Sequence, residues 1–308
     1  MPSINNNHDF CRSLLILGER VCGSGRFSNV YVADLILPEQ RKIAIKNSRT
    51  RHPSTSFDQV YPEVEVLSKI PPHRNIVTLL YYFTRKIDNE TIHCLVLDYL
   101  PDDVQRLREK GIKFDTLDAQ LYSYQLFSAV AFLSVCKVIH LDIKPSNLVD
   151  GILKLADFGN AVLFGATTAS SYQVTRYYRP PELLFGSTTL TPAIDVWSAA
   201  CVTYDFICTK TLFKGKDSEN QIRIIVDVLG YPTSEDIKAM SCRRPRVHRS
   251  TARGLEKVSV KKALSLLQAV LVYDPKKRKP AAELLQHDYF EEVRKVLLLI
   301  TSMHNKQK

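Results

Sequence analysis

The feature that most constrains this chain is eight residues long: His140-Leu141-Asp142-Ile143-Lys144-Pro145-Ser146-Asn147. In such a grouping Asp142 would accept or orient the proton of a substrate hydroxyl, Lys144 would steady a migrating phosphate, and Asn147 would hold a magnesium ion. Ten residues after Asn147 comes Asp157-Phe158-Gly159. Its aspartate is a hard oxygen ligand suited to a magnesium ion that bridges two phosphates.

Upstream, Gly23-Ser24-Gly25-Arg26-Phe27-Ser28, with Val30 just beyond, falls between the first two predicted strands. Glycine has no Cβ, so backbone N–H groups there can approach phosphate oxygens. Taken alone this is equally an ordinary glycine turn, and Ser28 stands where the G-x-G-x-x-G pattern has its third glycine. Its place between two strands argues against a dinucleotide-binding Rossmann fold, where a helix would follow. Ala44-Ile45-Lys46 then lies on the third strand. A lysine on an apolar strand needs anionic partners, and the α- and β-phosphates of ATP with one carboxylate supply them. The helix predicted at 62–70 offers Glu63 and Glu65. One turn beyond Glu63 is apolar Leu67, whereas one turn beyond Glu65 is Lys69, so Glu63 is placed on the buried face.

Two later motifs, Arg179-Pro180-Pro181-Glu182 and Asp195-Val196-Trp197-Ser198, read as architectural, with Glu182 expected to pair with Arg278. Any one of these patterns is short; together, in this order, they are not coincidence. Between and around them the chain changes character. Residues 14–21, 30–37, 42–47, 77–83 and 91–98 carry β-branched and aromatic residues between turn signals and predict strands. A helix from Pro62 to Ile70 interrupts them, with proline in the first turn where its missing N–H has no partner to lose. From Asp118 onward the pattern is helical: a long helix through Leu133, then candidates at 194–208, 219–229, 261–271 and 281–286. The expectation is an α+β, two-lobed fold: a small β lobe, a larger helical lobe and a cleft between them.

Composition removes whole classes of function. With 308 residues, 45% hydrophobic and 24% charged, the chain has the make-up of an ordinary globular protein. No stretch approaches the roughly 20 apolar residues of a membrane span. The polar start and the short apolar run Leu14–Leu17 do not resemble a signal peptide, and Pro2 excludes an N-myristoyl glycine. Seven cysteines without a C-x-x-C pair suggest reduced thiols, mostly small core residues, in the cytoplasm or nucleus. The formal charge of +10 suits acidic or phosphorylated protein partners as well as nucleic acid or membrane surfaces. Much of it sits in Arg243, Arg244, Arg246, Arg249 and Arg253, in a segment without apolar periodicity. That segment reads first as a solvated loop, with a docking or nuclear-import patch as the alternative. No basic stripe interleaved with aromatics supports a nucleic-acid binder.

Together the motifs resemble the eukaryotic protein kinases over about residues 15–293, and Lys144 resembles the serine/threonine branch. Leu95-Val-Leu-Asp-Tyr-Leu-Pro101, Ser171-Tyr172, Thr175-Arg-Tyr-Tyr-Arg-Pro-Pro-Glu-Leu183 and Val228-Leu-Gly-Tyr-Pro-Thr233 are similar to the glycogen synthase kinase-3, or shaggy-like, family. The resemblance implies a kinase domain over 14–293, with an N-lobe to about 98, a hinge at 98–101 and a C-lobe from 102. Residues 1–13 would be an extension and 294–308 a short tail. It implies ATP held by Cys22, Gly23, Ser24, Gly25, Val30, Ala44, Lys46, Glu63, Leu97, Asp98, Leu100 and Leu148. Magnesium would be held by Asn147 and Asp157, with catalysis by Asp142 and Lys144. Tyr172 would be a regulatory tyrosine, with Arg176 and Arg179 near enough in sequence to meet its phosphate. The expected partners are protein substrates, and the chain is expected to be monomeric.

The departures are as informative. The family reads substrates already phosphorylated four residues downstream, using three cations; Pro62, Leu141 and Val162 occupy those positions here. Its scaffold-docking helix is apolar where this chain has Glu219 and Arg223, and the loop 241–253 has no aromatic. The hairpin between Asn147 and Asp157 is short. The sequence therefore predicts a kinase that does not require primed substrates. The competing reading is a pseudokinase scaffold, suggested by Ser28, Leu141 and the short hairpin. Lys46, Glu63, Asp142, Asn147 and Asp157 oppose it, because a scaffold needs none of them.

Overall fold

The computed structural model describes residues 14–24, 28–49, 61–88, 90–149, 152–165 and 175–305. The chain divides into two compact units, one running to His73 and resuming over Val77–Pro101, the other comprising Arg74–Ile76 and everything from Asp102.

The first unit is an antiparallel sheet with one helix. Its strands are β1 (Leu15–Ser24), β2 (Ser28–Leu37), β3 (Arg41–Arg49), β4 (Leu79–Ile87) and β5 (Glu90–Asp98), with α1 (Pro62–Lys69) between β3 and β4. The strand order is β1-β2-β3-β5-β4. Alternation along the central strands sends side chains to opposite faces. Ala33, Leu35, Ile43, Ile45, Ile92, Cys94 and Val96 form a buried cluster on one face. The residues between them form the other face, where Val30 pairs across the sheet with Lys46, and Ala44 with Leu97. The fourth strand begins two residues later than its sequence suggests and runs four further, to Ile87. In α1, Pro62 occupies the first turn and Glu63, Val64, Val66 and Leu67 are buried. Ile70 is extended, as a residue followed by proline must be, and the helix stops.

The second unit is mainly helical. Its elements are α2 (Val104–Glu109), α3 (Thr116–Val135), α4 (Pro181–Leu184), α5 (Ala193–Cys208), α6 (Ser218–Leu229), α7 (Ser234–Ala239), α8 (Lys261–Gln268), α9 (Ala281–Leu284) and α10 (Glu291–Asn305). Two short ribbons lie between α3 and α4. In one, β6 (Val138–Ile139) pairs with β9 (Val162–Leu163); in the other, β7 (Leu148–Val149) pairs with β8 (Lys154–Leu155). Helix α5 is buried continuously from Ile194 to Phe206, which is why its sequence is apolar on every side. Around it Arg278 grips Glu182 at 2.8 and 2.6 Å, as the sequence suggests, with its guanidinium against the Trp197 ring.

Several expectations need correction. Helices α2, α4, α7 and α10 had no sequence assignment, and α10 runs on through residues 294–305. Helices α8 and α9 end earlier than their apolar patterns. Of the described cysteines, Cys94 and Cys201 are buried, while Cys22, Cys136, Cys208 and Cys242 are half-buried rather than core. Among the described residues no helix is long and apolar enough to cross a membrane.

Candidate active site

In the first unit Val30, Ala44, Lys46 and Leu97 share the sheet face opposite the apolar cluster. Lys46 is 7% exposed, and its ammonium donates to both carboxylate oxygens of Glu63 at 2.8 and 2.7 Å. Glu65, the rejected alternative, pairs instead with Lys69 on the exposed side of α1. Cys22 donates its thiol to the Val30 carbonyl at 3.4 Å, and the Ser24 hydroxyl donates to Asn29 Oδ1 at 2.9 Å. A Cβ on Gly23 would meet the Val30 Cβ at an ordinary 3.8 Å, so packing does not force a glycine there. Gly25 lies outside the described residues. Leu97 is buried and Leu100 half-buried. The Asp98 carboxylate accepts from Arg41 at 2.8 Å and from the Thr78 N–H at 3.3 Å, and its own N–H donates to the Thr78 carbonyl. Its side chain and N–H therefore serve the sheet.

In the second unit Asp142 is the centre of a dense polar group. Its Oδ1 accepts the Thr175 hydroxyl at 2.6 Å and the Thr175 N–H at 3.3 Å. Its Oδ2 accepts from Lys144 at 2.7 Å, and Lys144 also donates to the Thr175 hydroxyl oxygen at 3.3 Å. Asn147 donates its amide to the Asp142 backbone carbonyl at 2.9 Å. Asn160 reaches Oδ2 at 3.5 Å. Leu148, which follows on β7, is fully buried.

His140 ties this loop to the Asp157-Phe158-Gly159 turn. Its Nδ1 accepts the Asp142 N–H at 3.2 Å, so the ring proton lies on Nε2, which donates to the Ala156 carbonyl at 3.1 Å. Phe158 meets the imidazole edge-on with centroids 4.7 Å apart. Complete burial pulls His140 down to about 4, which keeps it neutral. Asp157 sits at φ 64°, ψ 71° at the start of the turn, a left-handed conformation that aspartate tolerates better than most residues.

Sequence reasoning missed two members of this group. Asp195, read as architectural, accepts the backbone N–H of His140 at 2.6 Å and of Leu141 at 3.0 Å. It thereby fixes the loop on both sides of the peptide before Asp142. Burial pushes Asp195 up to about 7, against the pull of those two donors. An aspartate inside an apolar helix was the available signal. Thr175 gave none, because its role depends on a segment 33 residues away in sequence.

The regulatory candidates are placed as follows. Arg176 donates to the Lys216 carbonyl at 2.8 Å, and Arg179 is 8% exposed. Tyr172 lies outside the described residues. Glu219 and Arg223 pair with each other along the exposed side of α6 at 2.9 Å.

Residues 18–290 match the family model described as the protein kinase domain. The chain is similar to the serine/threonine-protein kinase gskl-1 of Caenorhabditis elegans, 47% identical over 94% of this chain and 83% of the relative. It is also similar to protein kinase gsk31 of Schizosaccharomyces pombe, 37% identical over 89% of this chain and 75% of that protein. With glycogen synthase kinase 1 of Pyricularia oryzae the identity is 33%, over 89% of this chain and 72% of the relative.

Proposed function

The chain belongs to the protein kinase family, among its glycogen synthase kinase-like serine/threonine members, and from that premise we propose how its residues divide the work. The reaction moves the γ-phosphate of ATP to a protein hydroxyl, so catalysis is chiefly positioning and electrostatic stabilisation.

Asp142 orients the acceptor hydroxyl. The observation that carries this is the Thr175 hydroxyl, 2.6 Å from Asp142 Oδ1 with the Lys144 ammonium 3.3 Å from its oxygen. A hydroxyl donating to the carboxylate while an ammonium faces its oxygen is the arrangement an acceptor serine needs. Lys144 then neutralises charge on the migrating phosphate. Lys46, fixed by Glu63, meets the nucleotide phosphates. Val30, Ala44 and Leu97 supply apolar surface on the same sheet face for the base.

Magnesium fits the donor set. Asn147 spends its amide nitrogen on the Asp142 carbonyl, which turns its Oδ1, a hard donor, the other way. Asn147 and Asp157 would hold the ions, whose bound charge offsets that of the phosphates. Among the described residues no cluster of three His, Cys, Asp or Glu side chains forms a metal cage. That suits magnesium, which takes one or two protein oxygens and completes its shell with phosphate and water.

The test is label transfer from ATP with Mg2+ to a peptide array, wild type against Asp142→Asn. A loss of several orders of magnitude with unchanged thermal melting is expected. Equal incorporation by the two proteins would sink this assignment. For Tyr172 the proposal is a modest gain on phosphorylation, since Leu141 replaces a cation and Arg176 is engaged with Lys216. A folded but inactive Tyr172→Phe protein would contradict it.

A further inference from the structure

Phosphoryl transfer leaves the basic segment after α6 unused. From Tyr231 to Gly254 six cations, Lys238, Arg243, Arg244, Arg246, Arg249 and Arg253, face two carboxylates, Glu235 and Asp236. Asp236 is occupied in capping α7 with Thr233. All five arginines are exposed.

The segment is irregular but its backbone is fastened. The Arg243 N–H donates to the Phe185 carbonyl, Tyr231 to Ser250, Arg253 to Asp227 and Gly254 to Val228, all between 3.0 and 3.3 Å. The Tyr231 hydroxyl donates to the Pro245 carbonyl at 3.0 Å, and the Arg249 guanidinium lies 5.2 Å over the same ring. Tyr231 thus holds residue 245 at its hydroxyl, residue 250 at its N–H and Arg249 on its face. Arg244, anchored to the Ser234 hydroxyl at 2.6 Å, and Arg246 flank that pinned proline. Guanidinium groups on a fixed backbone lose less entropy when they take up carboxylate or phosphate oxygens.

The segment also lies within a bounded distance of the acceptor end of the second unit. Phe185, which receives Arg243, closes α4 and lies ten residues after Thr175, the residue bonded to Asp142. That span cannot exceed about 36 Å even if fully extended. A substrate segment of roughly ten residues can therefore bridge it. Tyr231 offers no platform for stacking bases, because Arg249 covers its ring and Pro245 takes its hydroxyl.

We propose that this loop docks an acidic segment of a protein substrate, with carboxylates or phosphates about ten residues from the acceptor. The word substrate rests on the kinase reading; the binding half of the test does not need turnover.

The probes are a fluorescent oligoglutamate peptide, a peptide bearing phosphoserines, and a short duplex DNA, read by anisotropy against wild type, Arg246→Glu and Arg244→Glu/Arg246→Glu/Arg249→Glu. The acidic peptides should bind wild type, weaken with salt, and lose at least tenfold in the triple variant, with Arg246→Glu intermediate. Comparing the glutamate and phosphoserine peptides identifies which anion is preferred. In turnover, appending an acidic tail to an acceptor peptide should lower KM for wild type alone, with kcat on the untailed peptide the same in all three proteins. Should the triple variant not fold, Arg246→Glu carries the comparison, since Arg246 is not one of the anchoring side chains above. Equal binding of the acidic peptides by wild type and Arg246→Glu overturns the proposal. So does duplex DNA binding wild type more tightly than both peptides. Binding without label transfer to any peptide would support the surface while overturning the kinase reading.

Discussion

Each unit buries a cation against a glutamate, and the two pairs do different things. Lys46 meets both oxygens of Glu63 at 2.8 and 2.7 Å, and Arg278 meets both oxygens of Glu182 at 2.8 and 2.6 Å. Arg278 goes on to donate to the carbonyls of Val272, Ala193 and Tyr273, and it lies 4.9 Å from the Trp197 ring centroid. Its fork knits α4, the start of α5 and residues 272–273 into one packed region. Lys46 instead stands on a sheet face beside Val30, with Ala44 and Leu97 along it. A buried ion pair adds little net stability, because desolvation offsets the attraction. What each pair provides is therefore different: Arg278 specifies packing through geometry, and Lys46 keeps a positive charge in place for an anion.

Exchanging the two cations tests that difference most strongly. Lys46→Arg can still pair with Glu63 but moves the charge, and a misplacement of about 1 Å costs on the order of a hundredfold in rate. Activity should fall at least that far while the melting temperature barely changes. Arg278→Lys keeps the charge but cannot donate to three carbonyls and both Glu182 oxygens. Stability should fall by roughly 2–4 kcal/mol, given about 1.5–3 kcal/mol for each hydrogen bond to a charged group and partial repacking. Turnover measured well below its melting temperature should be near wild type. The comparison breaks if Arg278→Lys loses activity while still folded, or if Lys46→Arg melts early.

Both pairs were legible in the sequence, for different reasons. Glu63 was separable from Glu65 because helical spacing put Leu67 beneath one and Lys69 beneath the other. Lys46 stood out as a cation on an apolar strand, in need of anionic partners. Glu182 with Arg278 was expected from the motif around Glu182, with no periodicity behind it. What sequence could not supply were contacts made by distant segments: Thr175 on Asp142, Asp195 under the loop, and the backbone bonds that fasten residues 243–254. A hydroxyl or a main-chain N–H carries no compositional mark of the partner it will find. Helix α7 was missed because six residues give too short a pattern, even with the capping box of Thr233 and Asp236.

Helix α5 offers a smaller contrast within the second unit. Asp195 and Asp205 both sit on it, and burial pushes each up to about 7. Asp195 is met by two backbone N–H groups of the catalytic loop, whereas Asp205 is met by the Tyr178 hydroxyl at 2.8 Å and Arg108 at 3.3 Å. A carboxyl whose folded pKa lies above its ordinary 3.8 contributes stability below about 4, and loses it as pH rises through about 7. Asp205→Asn has no such titration. Its stability relative to wild type should rise between about pH 4 and pH 7 and level off above, by on the order of a few kcal/mol in all. Thermal melting of both proteins across that range is the measurement. A difference that stays constant with pH would mean that Asp205 remains ionised throughout.

The smallest expected effect concerns substrate choice, where the two units again differ in what replaces a charge. At Pro62 the first unit has a residue in the first helical turn that cannot donate even a backbone hydrogen bond. In the second unit Leu141 is 2% exposed and joins Ile139, Leu183 and Ile194 in an apolar cluster, with Val162 packed against it. Leu141 also holds φ 64°, fixed by the bond from its N–H to Asp195. Two of the three positions, Leu141 and Val162, are thus part of an apolar cluster rather than an open pocket missing its charges, while Pro62 is exposed. Losing three charged contacts of about 1.5–3 kcal/mol each removes several kcal/mol of phosphoserine binding, and each 1.4 kcal/mol is tenfold. We therefore expect kcat/KM for one peptide to change less than tenfold when the serine four residues after the acceptor is phosphorylated. A larger preference for the phosphorylated peptide would reveal another cationic pocket. Restoring a single cation should not create one: Leu141→Arg would bury a guanidinium among Ile139, Leu183 and Ile194, and should lower the melting temperature before it improves any primed substrate.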